Sequence, residues 1–179
     1  MSEILSMKSL RAAVKNGSID TVVAAFPDMQ GRLMGKRFHA KFFVDNAWEE
    51  THCCNYLIAT DLEMATVDGY ESTSWSAGYG DYVMRPDLDT LCVLPWLEGT
   101  ALVLCDLLDH HTHELVPHAP RTVLKQQLKR AADLGLSMMA ATELEFFVFR
   151  ETFEIIRDAG YHAMSPISPY NEDYHIFQT

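Results

Sequence analysis

The sequence predicts an α+β chain, and three observations predict it. Short runs of β-branched, aromatic and apolar residues, the composition of strands, cluster between residues 21 and 105. Segments with helical spacing flank that region, over residues 4–16, 120–132 and 151–159. A last apolar run, Thr142-Glu143-Leu144-Glu145-Phe146-Phe147-Val148-Phe149, reads as a strand that the long central helix feeds. Strand-rich and helix-rich stretches are thus segregated along the chain, the pattern of an α+β protein.

The leading helix carries Leu5, Leu10, Ala13 and Val14 on one side and stops at Gly17. Residues 21–26 and 32–38 form a hairpin, because Pro27-Asp28-Met29-Gln30-Gly31 places Pro, Asp and Gly where a turn needs them. Residues 40–51 fit a helix or an irregular packed segment, and the residues do not choose. From Thr60 to Asp81 the chain is rich in Gly, Ser, Tyr and Asp, and its aromatic residues predict an ordered loop with a task. Asp68 and Asp81 are that loop's candidates for chemistry; the plain alternative is that both only make turns with neighbouring glycines.

Pro86-Asp87-Leu88-Asp89 reads as a turn, followed by two buried strands at residues 90–94 and 100–105. Pro120 opens a helix whose apolar stripe is Val123, Leu124, Leu128, Ala131 and Ala132, with Arg121, Lys125, Gln126 and Lys129 outward, ending at Gly135. A shorter helix spans residues 151–159. The closing stretch, residues 168–179, looks like the beginning of another strand, which gives the impression of a chain cut inside a domain.

Composition removes several classes of function. With 179 residues, 48% hydrophobic, the chain has enough to bury for a full domain and is not disordered. Its net charge of −11, with 14 basic residues scattered among 25 acidic ones, argues against nucleic acid or an anionic membrane as partner. Nothing approaches a membrane span or a signal peptide. Cys53, Cys54, Cys92 and Cys105 lack C-x-x-C spacing and suit reduced thiols in a cytoplasm. The run from Asp109 to Glu114 holds His110, His111 and His113, yet a polar connection without sulfur ligands favours no metal there.

The chemistry is concentrated in Glu143 and Glu145. On a strand they share a face, with Cα atoms about 7 Å apart, where two charges repel by about 2 kcal/mol at an effective dielectric near 20. A proton, a nearby Arg or Lys, or bound cations would offset that, and hard oxygen ligands suit Mg²⁺ or Mn²⁺. The residues alone leave these open.

Taken in order along the chain, Phe26-Pro27-Asp28-Met29-Gln30-Gly31-Arg32, the Asp68-Gly69 loop, Gly80-Asp81-Tyr82, Arg85-Pro86-Asp87, Pro95-Trp96, Cys105-Asp106, Pro120-Arg121 and Glu143-Leu144-Glu145-Phe146-Phe147 resemble the N-terminal part of the glutamine synthetase family. The resemblance implies a leading helix (1–14), a β-grasp N-terminal domain (15–112) and the incomplete start of a catalytic α+β domain (113–179). It implies that Glu143 and Glu145 each reach a different Mg²⁺ or Mn²⁺ ion. The Asp68 loop would be offered across a subunit interface, with Asp68 as the base that deprotonates ammonium and Asp81 second to it. The family's Asp-Gly-Ser-Ser pattern is here Asp68-Gly69-Tyr70-Glu71.

The implied reaction joins the γ-carboxylate of L-glutamate to ammonia or an amine, with ATP as co-substrate and a γ-glutamyl phosphate between the two halves. Family members form homo-oligomers of stacked rings and carry further metal and substrate ligands C-terminal to residue 179, so the chain alone is expected to be nearly inactive. Residues 151–179 resemble the γ-glutamyl amine and polyamine ligase branch. The rivals are a non-catalytic relative that keeps the fold as a structural or binding protein, and a self-contained β-grasp interaction module.

Overall fold

The structure, a computed structural model, describes residues 4–76 and 78–170. It divides into two compact units, residues 1–138 and 139–179. The first is built on one sheet. Helix α1 (Met7–Asn16) starts at a reciprocal cap between Ser6 and Ser9 and ends at Gly17, whose φ of 79° only glycine adopts readily. Strands β1 (Thr21–Pro27) and β2 (Leu33–His39) are the expected hairpin, antiparallel from Thr21↔His39 to Pro27↔Leu33. The undecided segment is helical: α2 runs through Ala40–Phe42 and a π-helical turn, Phe43–Ala47, and buries Phe43 completely.

Strands β3 (Thr51–Cys54), β4 (Asp81–Val93) and β5 (Thr100–Asp109) complete a five-stranded sheet in the order β2-β1-β5-β4-β3. The central pair, β1 and β5, is parallel, and every other pair is antiparallel. One face carries the core: Val22, Ala24 and Phe26 of β1, Val103 and Cys105 of β5 and Met84 of β4 pack with Leu10 and Phe43. Helix α3 (Pro120–Asp133) contacts β1 and β5. It reaches Asp106, whose side chain alternates with Cys105 and so points away from that core.

Three expectations need correction. The turn expected at Pro86–Asp89 is instead part of β4, where Arg85↔Asp106 and Pro86↔Cys105 keep the ladder running. The turn-like residues are absorbed in a register shift between Asp87 and Cys92. There the Thr90 hydroxyl accepts from the Leu104 amide at 2.9 Å and donates to the Asp87 carbonyl at 2.6 Å, standing in for a backbone partner.

Second, α3 presents the face opposite to the one its apolar stripe predicts. Val123, Leu124 and Leu128 are 43%, 59% and 45% exposed, whereas Thr122 is buried and Arg121 and Lys125 point onto the sheet. Third, residues 142–147 form no strand, and Leu144, Phe146 and Phe147 stand exposed. A strand is stable only with a ladder partner, and the second unit supplies one only at the far end of the run. There Phe149 bridges Pro166, the Arg150 amide donates to the Ser165 carbonyl and the Ile167 amide to the Val148 carbonyl. Helix α4 (Phe153–Asp158), begun by Thr152, lies between those two segments in sequence. The strand start expected within residues 168–179 lies outside the described residues, apart from residues 168–170.

Candidate functional site

Asp68 and Asp81 belong to the first unit. Asp68 is exposed in the long loop, and Asp81 is exposed where the loop enters β4, opposite Cys54. The loop between them is ordered by two anchors. At its start, Arg32 reaches out of the β1–β2 turn and donates to the carbonyls of Leu62 (2.8 Å) and Asp61 (3.1 Å), while Gln30 donates to that of Thr60 (2.9 Å). At its end, the buried Asn55 donates to the Ser72 carbonyl, and its side-chain oxygen accepts from the Thr73 hydroxyl and the Gly80 amide. The expected role of the aromatic residues holds: Tyr79 meets Tyr56 and Trp75 edge-on, and Tyr70 lies over His118.

Asp28 holds the first anchor together. Its fully buried carboxylate accepts from the Gln30 and Arg32 amides and from Arg32 Nε at 2.7 Å. Burial works to raise its pKa, but the Arg32 guanidinium and the two amides outweigh burial and hold it below the usual carboxylate value. A folded-state pKa below the unfolded one means stabilisation that is complete at neutral pH, begins to fall near the ordinary value of about 4 and is lost as pH drops through the lower folded-state value. Denaturant titrations from pH 7 to 3 are therefore expected to show falling stability below about pH 4.5. Asp28→Asn is expected to flatten that fall.

The acid pair that charge reasoning sought at residues 143 and 145 has a counterpart that the sequence reading missed. Asp87 of β4 and Asp106 of β5 lie on one face of the sheet as diagonal neighbours, given by the pairs Asp87↔Leu104 and Arg85↔Asp106. Both are locked by α3. Arg121 binds Asp106 at 2.8 Å and also Asp87, and Lys125 binds Asp106 at 2.7 Å and Asp87 at 3.1 Å. Burial pushes the Asp87 carboxyl up, but Lys125 and Arg121 together bring it below its ordinary value. With two cations on two anions the cluster is neutral and has no position left for a metal, so its work is to clamp α3. Its signal was present, since Asp87, Asp106 and Arg121 each end a short match quoted above for the family resemblance.

Glu143 and Glu145 lie in the second unit on irregular, exposed backbone, so the strand face that would set them about 7 Å apart is not imposed. Among the described residues neither is tied by an ion pair or hydrogen bond, and no group of three or more His, Cys, Asp or Glu is arranged to hold a metal ion. Two free carboxylates are chemically suited to Mg²⁺ or Mn²⁺, but they are too few for its octahedral shell. In the Asp109–Glu114 run His110 lies 5.3 Å from both His52 and His111, ring centre to ring centre, and His113 faces the Glu50 carboxylate at 3.9 Å. All four cysteines are free, and burial pushes the Cys53 and Cys105 thiols up to about 12. No helix among the described residues is long and apolar enough to cross a membrane.

A match to a known family begins just before α3. Residues 117–176 fit the pattern of the glutamine synthetase catalytic domain. Over 98% of its length the chain is 51% identical to gamma-glutamylethanolamide synthetase GlnA4 of Streptomyces coelicolor, covering 38% of that protein. It is 32% identical to a glutamate–isopropylamine ligase of a Pseudomonas species (92% of this chain, 36% of that one) and 25% identical to type-1 glutamine synthetase 2 of Dictyostelium discoideum (88% and 30%). The chain is thus similar to proteins of the glutamine synthetase family, and more so to the two amine-joining relatives than to the type-1 glutamine synthetase. It spans under two fifths of the length of these relatives.

Proposed function

We propose that this chain is the N-terminal part of a ligase that joins the γ-carboxylate of L-glutamate to a small amine, with ATP as co-substrate; ammonia is the alternative acceptor. The observation that carries the reading is the 51% identity, over nearly the whole chain, to a gamma-glutamylethanolamide synthetase. In the reaction a glutamate carboxylate oxygen attacks the terminal phosphorus of ATP and ADP leaves. The amine nitrogen then attacks the acyl carbon of the γ-glutamyl phosphate, and phosphate leaves.

Glu143 and Glu145 are assigned to hold Mg²⁺ or Mn²⁺, with the remaining ligands coming from outside the described residues. A divalent ion there supplies charge neutralisation for the transferring phosphoryl group. Asp68 is assigned to take the proton from the incoming ammonium group so that its nitrogen can attack, and Asp81 is the second candidate. In domain terms, residues 15–112 are read as a β-grasp domain after a leading helix (1–14), and residues 113–179 as the start of the catalytic domain. The parallel β1–β5 pair at the centre of the sheet, with α2 crossing between β2 and β3, supports the β-grasp reading. A ring-shaped homo-oligomer in the cytoplasm is part of the same proposal, and the four free thiols are in keeping with that compartment.

Calorimetric titration of the whole ligase with Mn²⁺ tests the metal assignment. Saturable binding is expected, weakened about tenfold or more by Glu145→Ala and by Glu143→Ala. Absence of binding, or binding that both variants leave unchanged, removes these residues from the site. In the whole ligase, Asp68→Asn is expected to lower amine-dependent turnover about 100-fold, and unchanged turnover sinks the assignment of the base.

A further inference from the structure

We propose that Arg32, braced by the buried Asp28, is a positioning residue that sets where the Asp68 loop presents its carboxylate. The inference rests on the reading of Asp68 as the proton acceptor, and it deepens that reading.

Three consecutive carbonyls at the base of the loop, those of Thr60, Asp61 and Leu62, are captured by two side chains from one turn, Gln30 and Arg32. Such convergence has a cause in the chemistry. A guanidinium carries five donors in a fixed fork, so one edge can grip a carboxylate while the other spans two neighbouring carbonyls. In this turn Nε is held by Asp28, Nη1 goes to Leu62, and Nη2 goes to Asp61 and to the Gln30 side chain. Asp28 is rigid in turn, because its side chain is fully buried and also bonded to two backbone amides.

From that base the path to Asp68 is short. The Asp61 carboxylate folds the next residues into a tight turn by accepting from the Glu63 and Ala65 amides, and the Val67 amide donates to the Ala59 carbonyl. Asp68 is the next residue. Beyond it the Asn55 anchor takes hold at Ser72, so only residues 68–71 lie between the two fixed points. At the far end Asn55 is joined by His118, whose ring meets the Ser72 hydroxyl at 3.3 Å and packs against Tyr70, while Arg32, with Gln30, sets the near end, from which Asp68 follows directly.

Hydrogen exchange and NMR on the 179-residue chain test this, with Arg32→Lys as the decisive variant. Lysine keeps the charge but cannot span two carbonyls while holding Asp28. Exchange of the amides from 61 to 68 is expected to rise about tenfold, with amides in β1 and β5 unchanged and the Asp68 resonance shifted or doubled while that of Thr73 stays. Unchanged exchange and an unmoved Asp68 resonance overturn the proposal. An equal rise in β1 and β5 also overturns it, because Arg32 would then be a general support of the fold. Arg32→Gln, which also loses the charge, is expected to match or exceed the lysine variant; wild-type protection in it overturns the proposal as well. These measurements read the loop and not turnover, so the latch and the assignment of Asp68 as base fail separately.

Discussion

Asp106→Ala is expected to destabilise the first unit by about 3 kcal/mol in urea denaturation. The Asp106 side chain is 8% exposed and accepts from both Arg121 and Lys125. Its loss leaves two cations facing Asp87 alone, one of them, Arg121, with only 17% of its side chain exposed. Breaking a buried ion pair on one side costs about 3–5 kcal/mol, and the lower end applies here because Lys125 is 40% exposed and can turn to water. Adding Lys125→Met to Asp106→Ala restores charge balance, so the double variant is expected to recover more than 1 kcal/mol. A single variant that costs under 1 kcal/mol, or a second substitution that recovers nothing, would show that the cluster does not clamp α3.

Gly35→Ala is expected to be of similar severity for a different reason. Gly35 in β2 has a φ of 154°, and a Cβ placed on it would lie 2.0 Å from the Ala24 carbonyl oxygen and 2.8 Å from the Ala25 Cα. Both contacts are backbone of the paired strand β1, so no side chain can swing aside and the hairpin must separate locally. A cost of about 3 kcal/mol, read as a fall in Tm of about 6–12 °C, follows from such overpacking. Gly31→Ala is the control, because a Cβ there meets nothing within 4 Å and only the φ of 84° is strained. It is expected to cost about 1 kcal/mol. Equal effects of the two substitutions would mean that the close approach of β2 to β1 does not govern the result. The hairpin also carries the Asp28–Arg32 turn, so Gly35→Ala is expected to loosen the start of the Asp68 loop.

Much of the first unit was legible in the sequence, and the legible parts share one property. The hairpin around Pro27–Gly31, the end of α1 at Gly17 and the start of α3 at Pro120 are set by neighbours in the chain, whereas the loop from Thr60 to Asp81 owes its order to Gln30, Arg32 and Asn55. The misreadings came where a local signal was outweighed by distant contacts. The turn-like residues Pro86–Asp89 stay in β4 because Thr90 repairs the ladder with its side chain. For α3 the apolar stripe pointed one way and the charged residues won the contact, since Asp87 and Asp106 on the sheet offered Arg121 and Lys125 full pairing. β3 carried no signal strong enough to separate it from the irregular segment around it.

For the candidate site, the residue types were legible and their arrangement was not. Glu143 and Glu145 are visible as acids in an apolar run, but whether that run is a strand depends on a partner for its backbone. Among the described residues such a partner meets only the end of the run, at Val148–Arg150. The sequence by itself determined the class of fold, the hairpin, the end of α1, the start of α3 and the family resemblance, because each depends on residues close together or on a pattern spread in order along the chain. Only the tertiary structure decided which acids are neutralised by cations, which face α3 presents and how Arg32 grips the base of the Asp68 loop. Coulombic and hydrogen-bond energies depend on distance and on removal from water, and both are set by folding rather than by position in the chain.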